Sequence, residues 1–290
     1  MKENLYPGSV IADSAIIGNE AGIAPFCVIG ENAAIGRGTS LSPGCVLSEG
    51  VLIGKGVRLG CHVTLGEKAV LEDGVTIGDH TAIGPGTVIG EGTYIGSNST
   101  IGRPPKAAST STVKNRENLP PLRIGRKCTI GCSAVIYAGT VLEDEVFVGD
   151  RALIREHCSL AQKVVVGSGS AVENHTQIGA FTKIQTGSYI TAYMEIEDRV
   201  FIAPMVTTTN DNFMGRTEKR FQYMKGATIR RGARIGGGAI LLPGLEVAEE
   251  SFIAAGSLVT KDTPPHKVVK GFPAKAVRDV PEEELLENNT

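Results

Sequence analysis

The sequence predicts an all-β chain wound as a parallel β-helix of triangular coils. Two periodic positions and an unusual composition carry that prediction. An aliphatic residue recurs every sixth position: Ile11, Ile17, Ile23, Ile29, Ile35, Leu41, Leu47, Ile53 and onward to Ile101. The rhythm resumes at Ile124 and holds to Ile202, then returns from Ile229 to Val259. Four residues after each aliphatic stands something small or β-branched, as at Cys27, Ala33, Thr39, Cys45, Val51 and Val57. The chain has 37 glycines, no tryptophan and only 5% aromatic residues, so its core is aliphatic.

Each element follows from those positions. Alternate residues of a short strand face one side, so the small residue and the aliphatic two places later point inward together. The next two residues turn a corner, and glycine suits corners that need positive φ. Three such sides close an 18-residue coil, and coils stack at ~4.8 Å through parallel strand pairing. A six-residue beat matches neither the ~3.6-residue period of an α-helix nor the ~3.5 of a coiled coil.

Charge and cysteine usage narrow the function classes. The 290 residues carry a formal net charge of −2, which offers no overall attraction for nucleic acid or an anionic membrane. No stretch approaches the ~18 apolar residues of a membrane span, and residues 1–9 hold no apolar run that reads as a signal peptide. A soluble cytoplasmic protein is expected. The six cysteines contain no Cys-x-x-Cys pair, so no metal is expected. Cys27, Cys45, Cys128 and Cys158 all fall on the small inward position, where a free thiol behaves as a small hydrophobe.

The rhythm divides the chain. Coils are expected over 1–102, a projecting loop over 103–123, and central coils over 124–208. A second loop follows over 209–226, then terminal coils over 227–263 and a tail over 264–290. The first loop is rich in Pro, Ser, Thr and charge; the second mixes Phe213, Phe221 and Tyr223 with basic residues. Pro281 followed by Glu282, Glu283 and Glu284 predicts a short terminal helix, with proline in its first turn and acids at its positive end.

Residues 18 apart at a corner form a column. His157, His175, Tyr193 and Asp211 make one; Glu156, Asn174, Ala192 and Asn210 make its neighbour, and the second loop leaves after Asp211. His62 and His80 form a similar pair in the first run, where nothing else suggests a site. Group transfer to an amine or hydroxyl needs a base for the nucleophile and a donor for the oxyanion. His175 is the candidate base, with His157 beside it and Asn174 or Asn210 as polar partners.

Two segments carry a resemblance. TKIQTGSYITAYMEIEDRVFIAPMVTTTND (182–211) and GATIRRGARIGGGAILLPGLEVAEESFIAAGSLVTKDTPPHKVVKGFPAKAV (226–277) resemble the hexapeptide-repeat acyltransferase superfamily. The first is most similar to its nucleotide-linked amino-sugar N-acetyltransferases. The resemblance implies a left-handed β-helix, an acyl-CoA donor such as acetyl-CoA, a sugar acceptor, and a homotrimer with sites between adjacent copies. It implies that Asn210 and Asp211, with Gln185 and Tyr193, meet the acceptor. It also implies that the pantetheine arm runs by Gly237, Ala239, Ala255, Gly256 and Ser257. Thr260, Lys261, Lys270 and Lys275, with Arg230 and Arg231, would meet the phosphates. Thr186-Gly187 replaces the Asn-Asn of those relatives, and Asn212 to Arg216 replaces their Tyr-Pro-Arg, so the acceptor and the acylated atom stay open.

Three rivals share the coil. An acyl-carrier-protein-dependent acyltransferase of lipid A type is similar in the IGRPP segment, but the terminal motif favours CoA. A γ-class carbonic anhydrase needs His-x4-His for its metal, and that spacing is absent. A non-catalytic scaffold stays open for the long first run of coils.

Overall fold

A computed structural model of the chain describes residues 6–109 and 118–289. Residues 1–5 of the N-terminal segment and 110–117 of the first predicted loop lie outside the described residues. The chain divides into two compact units, Met1–Val146 and Phe147–Thr290. Each is a left-handed parallel β-helix, as the repeat and the resemblance together predict.

In the first unit short strands, nearly all of two residues, run from Val10–Ile11 to Val141–Leu142. Each pairs in parallel with the strand one coil on, as Val10 with Val28 and Thr64 with Ala82. The first loop is absorbed without loss of register, because Ile89 pairs directly with Ile124. The second unit repeats the plan. Its first face runs from Leu153–Ile154 to Leu258–Val259, and its second from Ser159–Leu160 to Glu246–Val247. Its third runs from Phe147–Val148 to Phe252–Ile253. Across the second loop Ile196 pairs with Ile229, so this insertion also leaves the coil intact.

The core is the stack of inward residues, with Cys27, Ile29, Ala33, Ile35 and their successors almost wholly buried. Polar members of the small position obey a rule that periodicity alone does not reveal. Most of these hydroxyls and thiols donate to the carbonyl fifteen residues on, as Thr39 to Gly54 (2.8 Å), Thr182 to Glu197 (2.7 Å) and Cys158 to Glu173 (3.2 Å), whereas the buried Thr87 hydroxyl has no partner. The accepting carbonyl belongs to the corner of the next coil, so these donors are buried with their bonds made. Burial pushes the Cys158 thiol up to about 12, which keeps it a neutral donor.

Glycine plays two parts here. At the outer corner one residue per side takes a left-handed φ, glycine in some coils (Gly38, +67°) and a larger residue in others (His62, +55°). The glycine that follows the aliphatic has ordinary φ and answers a different demand. A Cβ on Gly36 would land on the Gly54 carbonyl group of the next coil, whereas one on Gly38 would meet open space. The Ile-Gly dipeptides thus mark close backbone approach as well as turning.

Beyond the coils the tail forms an antiparallel hairpin, Lys267–Gly271 with Ala274–Asp279. The expected terminal helix takes 3-10 form in two turns, Glu282–Glu284 and Leu286–Asn288. A single α-helical turn, Arg220–Tyr223, lies in the second loop.

The two glycine roles separate by substitution. Gly38→Ala pays only for a left-handed alanine, ~1–2 kcal/mol, whereas Gly36→Ala carries no such strain but displaces the backbone of the next coil and is expected to unfold at clearly lower temperature. Thermal melts of both variants check this, and equal losses would refute the distinction.

Candidate functional site

The corner between the first and second faces of the second unit carries the histidine column. His175 and Tyr193 adopt left-handed φ values of +57° and +63°, which turn their side chains outward. The His175 N–H donates to the Glu156 carbonyl (3.2 Å), and the Tyr193 N–H to that of Asn174 (3.1 Å). The coil repeat then forces ring onto ring. His157 and His175 stack at 4.6 Å between centroids, and His175 and Tyr193 at 5.1 Å, with interplanar angles of 12° and 5°. His175 is exposed and His157 half-buried.

Behind this column lies a charged cluster that sequence reasoning missed. Arg155 donates from Nε and Nη2 to the two carboxylate oxygens of Glu156 (2.8 and 2.9 Å) and lies 3.5 Å from Glu173. The Glu156 side chain is only 3% exposed, so the bidentate guanidinium is what holds its charge inside. Burial pushes the Glu173 carboxyl above its ordinary range, while Arg155 draws it back. The available signal was Arg155 and Glu173 falling 18 apart, which stacks opposite charges on successive coils.

Above Tyr193 the column breaks. The chain that returns there is Gly226, whose N–H donates to the Tyr193 carbonyl (3.2 Å). Asp211 turns its carboxylate into the loop, accepting from the N–H groups of Phe213 (2.8 Å) and Gly215 (2.9 Å) and from Arg220 (3.3 Å). Those donors hold its carboxyl below the ordinary range. Asn210 donates its side-chain amide to the Ala192 carbonyl (3.4 Å) and accepts at its own carbonyl from the Lys225 N–H (3.0 Å). The Asn210-Asp211 pair therefore pins both ends of the loop.

The remaining candidates scatter. Gln185, Gly237, Ala255 and Gly256 occupy the corner between the third and first faces, one whole face away from His175. A Cβ on Gly238 or Gly256 would meet nothing, so this corner presents an open shelf. Ala239 and Ser257 point inward, buried at 0% and 1%, and can offer only backbone outward. Thr260 and Lys261 follow the last strand of the first face and share the histidine corner. Lys270 and Lys275 are exposed partners across the hairpin.

Arg230 and Arg231 lie at the third corner, already engaged. Arg230 bridges Glu197 (2.8 Å) and Glu246 (2.7 Å), and Arg231 pairs with Asp198 (3.1 Å). Among the described residues no group of three or more His, Cys, Asp or Glu could hold a metal ion. No helix among them is long and apolar enough to cross a membrane.

Comparison with known proteins adds a likeness. The family described as bacterial transferase hexapeptide (six repeats) matches residues 68–103, and the hexapeptide repeat of succinyl-transferase matches 27–55 and 121–153. A Saccharomyces cerevisiae protein named as an acetyltransferase is 37% identical over 101 residues, 34% of this chain and 52% of its own. The serine acetyltransferase of Buchnera aphidicola is 40% identical over 95 residues, covering 33% and 32%. The galactoside O-acetyltransferase of Escherichia coli is 36% identical over 88 residues, covering 29% and 43%. The chain thus spans about half the length, or less, of each of these relatives. Over these segments the chain is similar to hexapeptide-repeat transferases, in keeping with the coil that the repeats build.

Proposed function

We propose that this chain transfers an acyl group, acetyl in the first instance, from acyl-CoA to an amino or hydroxyl group of a sugar. A nucleotide-linked sugar is the acceptor favoured by the resemblance of residues 182–211. The observation that carries the reading is an exposed histidine column on the coil of a chain whose relatives are named acetyltransferases.

The chemistry follows from that column. The acceptor nitrogen or oxygen attacks the thioester carbonyl as the His175 imidazole takes its proton, and imidazole ordinarily titrates near neutrality. The new C–N or C–O bond gives a tetrahedral oxyanion, for which the amide of Asn174, the residue before His175 on the same corner, is the candidate donor. Collapse breaks the C–S bond, and the imidazolium returns its proton to the departing CoA thiolate. Stacking between His157 and Tyr193 fixes the plane of His175 from both sides and limits its motion.

The donor would lie along the open shelf of Gly237, Ala255 and Gly256, with Lys270 and Lys275 free for its phosphates. That shelf and His175 occupy different corners of one coil. Acyl group and base therefore meet only when the shelf of one copy faces the histidine column of another, which supports a homotrimer with shared sites.

Two measurements test this reading. His175→Asn is expected to lower acetyl-CoA turnover by ~10²–10⁴-fold with the thermal midpoint held, and full turnover with saturable kinetics would end the base assignment. Ala255→Trp fills the shelf and is expected to abolish CoA binding. Mixing His175→Asn with Ala255→Trp subunits should restore part of the activity, because some interfaces then pair an intact base with an intact shelf. Inactive mixed oligomers would place the whole site on one copy.

A further inference from the structure

The corner between the second and third faces of the second unit carries neither the histidine column nor the glycine shelf, yet it holds a cleft of about 420 Å³. That volume is within the ~300–1,000 Å³ of small-molecule sites. Its walls come from two adjacent ladders. On the third face Lys183, Phe201, Arg234 and Phe252 succeed one another in register. At the corner Phe181 lies between Lys163 and Arg199, whose charges stand 5.5 and 5.0 Å from the ring centroid. The next residue of that column is Gly232, where a Cβ would come within 2.8 Å of the Glu250 carboxylate and Leu286, so those two side chains take the place of a larger residue in the cleft wall.

The cleft has cations to spare. Lys183 and Arg199 form no ion pair among the described residues, and both line it. Arg234 gives Nη1 to Glu284 (2.7 Å), while its Nε and Nη2 are shielded from water with no hydrogen-bond acceptor. Glu250, the other acid present, is buried and accepts from the Leu286 N–H (2.9 Å). A carboxylate of the chain's own C-terminal segment thus already occupies one anion position; the three cations Lys183, Arg199 and Arg234 face two carboxylates, Glu250 and Glu284, and the lining keeps a positive surplus. Phe181 and Phe201, 38% and 40% exposed, supply apolar wall beside them.

We propose that this cleft is a second ligand site, for a planar ring carrying a phosphate, the chemistry of a nucleoside monophosphate. A phosphate monoester brings three acceptor oxygens, enough to meet both Lys183 and Arg199, neither of which is in an ion pair among the described residues, where a single carboxylate has two. The ring packs against Phe201 and the edge of Phe181, whose faces Lys163 and Arg199 already cover. The site lies on a different corner from the acyl-transfer chemistry and does not depend on that reading.

Calorimetric titration of the full chain with adenosine 5′-monophosphate tests it, with adenosine and inorganic phosphate as ring-only and anion-only probes. Saturable binding of the monophosphate is expected, with each partial probe at least about tenfold weaker. Arg199→Gln and Lys183→Gln, both at exposed positions, are expected to weaken it by about tenfold each while leaving acetyl-CoA turnover unchanged. No saturable binding, affinity unchanged in both variants, or competitive displacement by CoA would each overturn the proposal.

Discussion

Everything in this molecule depends on one constraint, the in-register parallel pairing that sets each residue over the residue one coil before it. The pairing extends past the strands, since corner residues also bond across coils, as His62 to the Pro43 carbonyl (3.0 Å) and Gly38 to that of Asn19 (3.1 Å). A spacing of ~4.8 Å then decides what can follow what. Two like charges at that distance repel by ~1 kcal/mol even in bulk water, whereas rings at that distance are in stacking contact. The columns of the second unit obey this. Arg155 precedes Glu173, Asp198 precedes Arg231, and Phe181 separates Lys163 from Arg199. The histidine column is the same rule applied to imidazole, which stacks without demanding a counter-charge.

The constraint explains what could be read in advance. Strand positions, inward residues and the stacking of His157 on His175 all follow from counting by six and eighteen, because no side-chain rearrangement can change register in a closed coil. Counting fails where the chain leaves the coil. Eighteen residues beyond Tyr193 lies Asp211, but the 209–226 loop opens at that point and Gly226 closes the corner. The partners of Asp211 depend on how a 15-residue insertion folds on itself, which no period encodes. The Arg155–Glu156 pair was hidden for a related reason: neighbours in sequence can bond bidentately only if the corner turns both side chains to one side.

The scatter of the expected CoA residues was legible but unread. Phase within the coil assigns Gly237 and Ala255 to one corner and His175 to another, and the residue numbers suffice once the 15-residue loop is subtracted. The same phase sends Ala239 and Ser257 inward, onto the small position that Thr39 and Cys158 also occupy. A motif matched as a string hides this, because adjacent letters can lie on opposite sides of the wall.

A coil that stacks residues by rule offers three edges, and on each edge a ladder can be tuned with little effect on the other two. In the second unit one edge carries imidazole and phenol rings, one carries glycine and open space, and one carries cations against aromatic rings. Each composition is stable only because the pairing beneath it is indifferent to side chain, fixed by backbone N–H and C=O groups alone. Chemistry that needs two of these edges together cannot be completed by bending a closed coil, whose core is packed at every level by buried aliphatics. It can be completed by apposing copies, and a solenoid meets that demand readily because a shelf and a column of equal rise remain in register along their whole length.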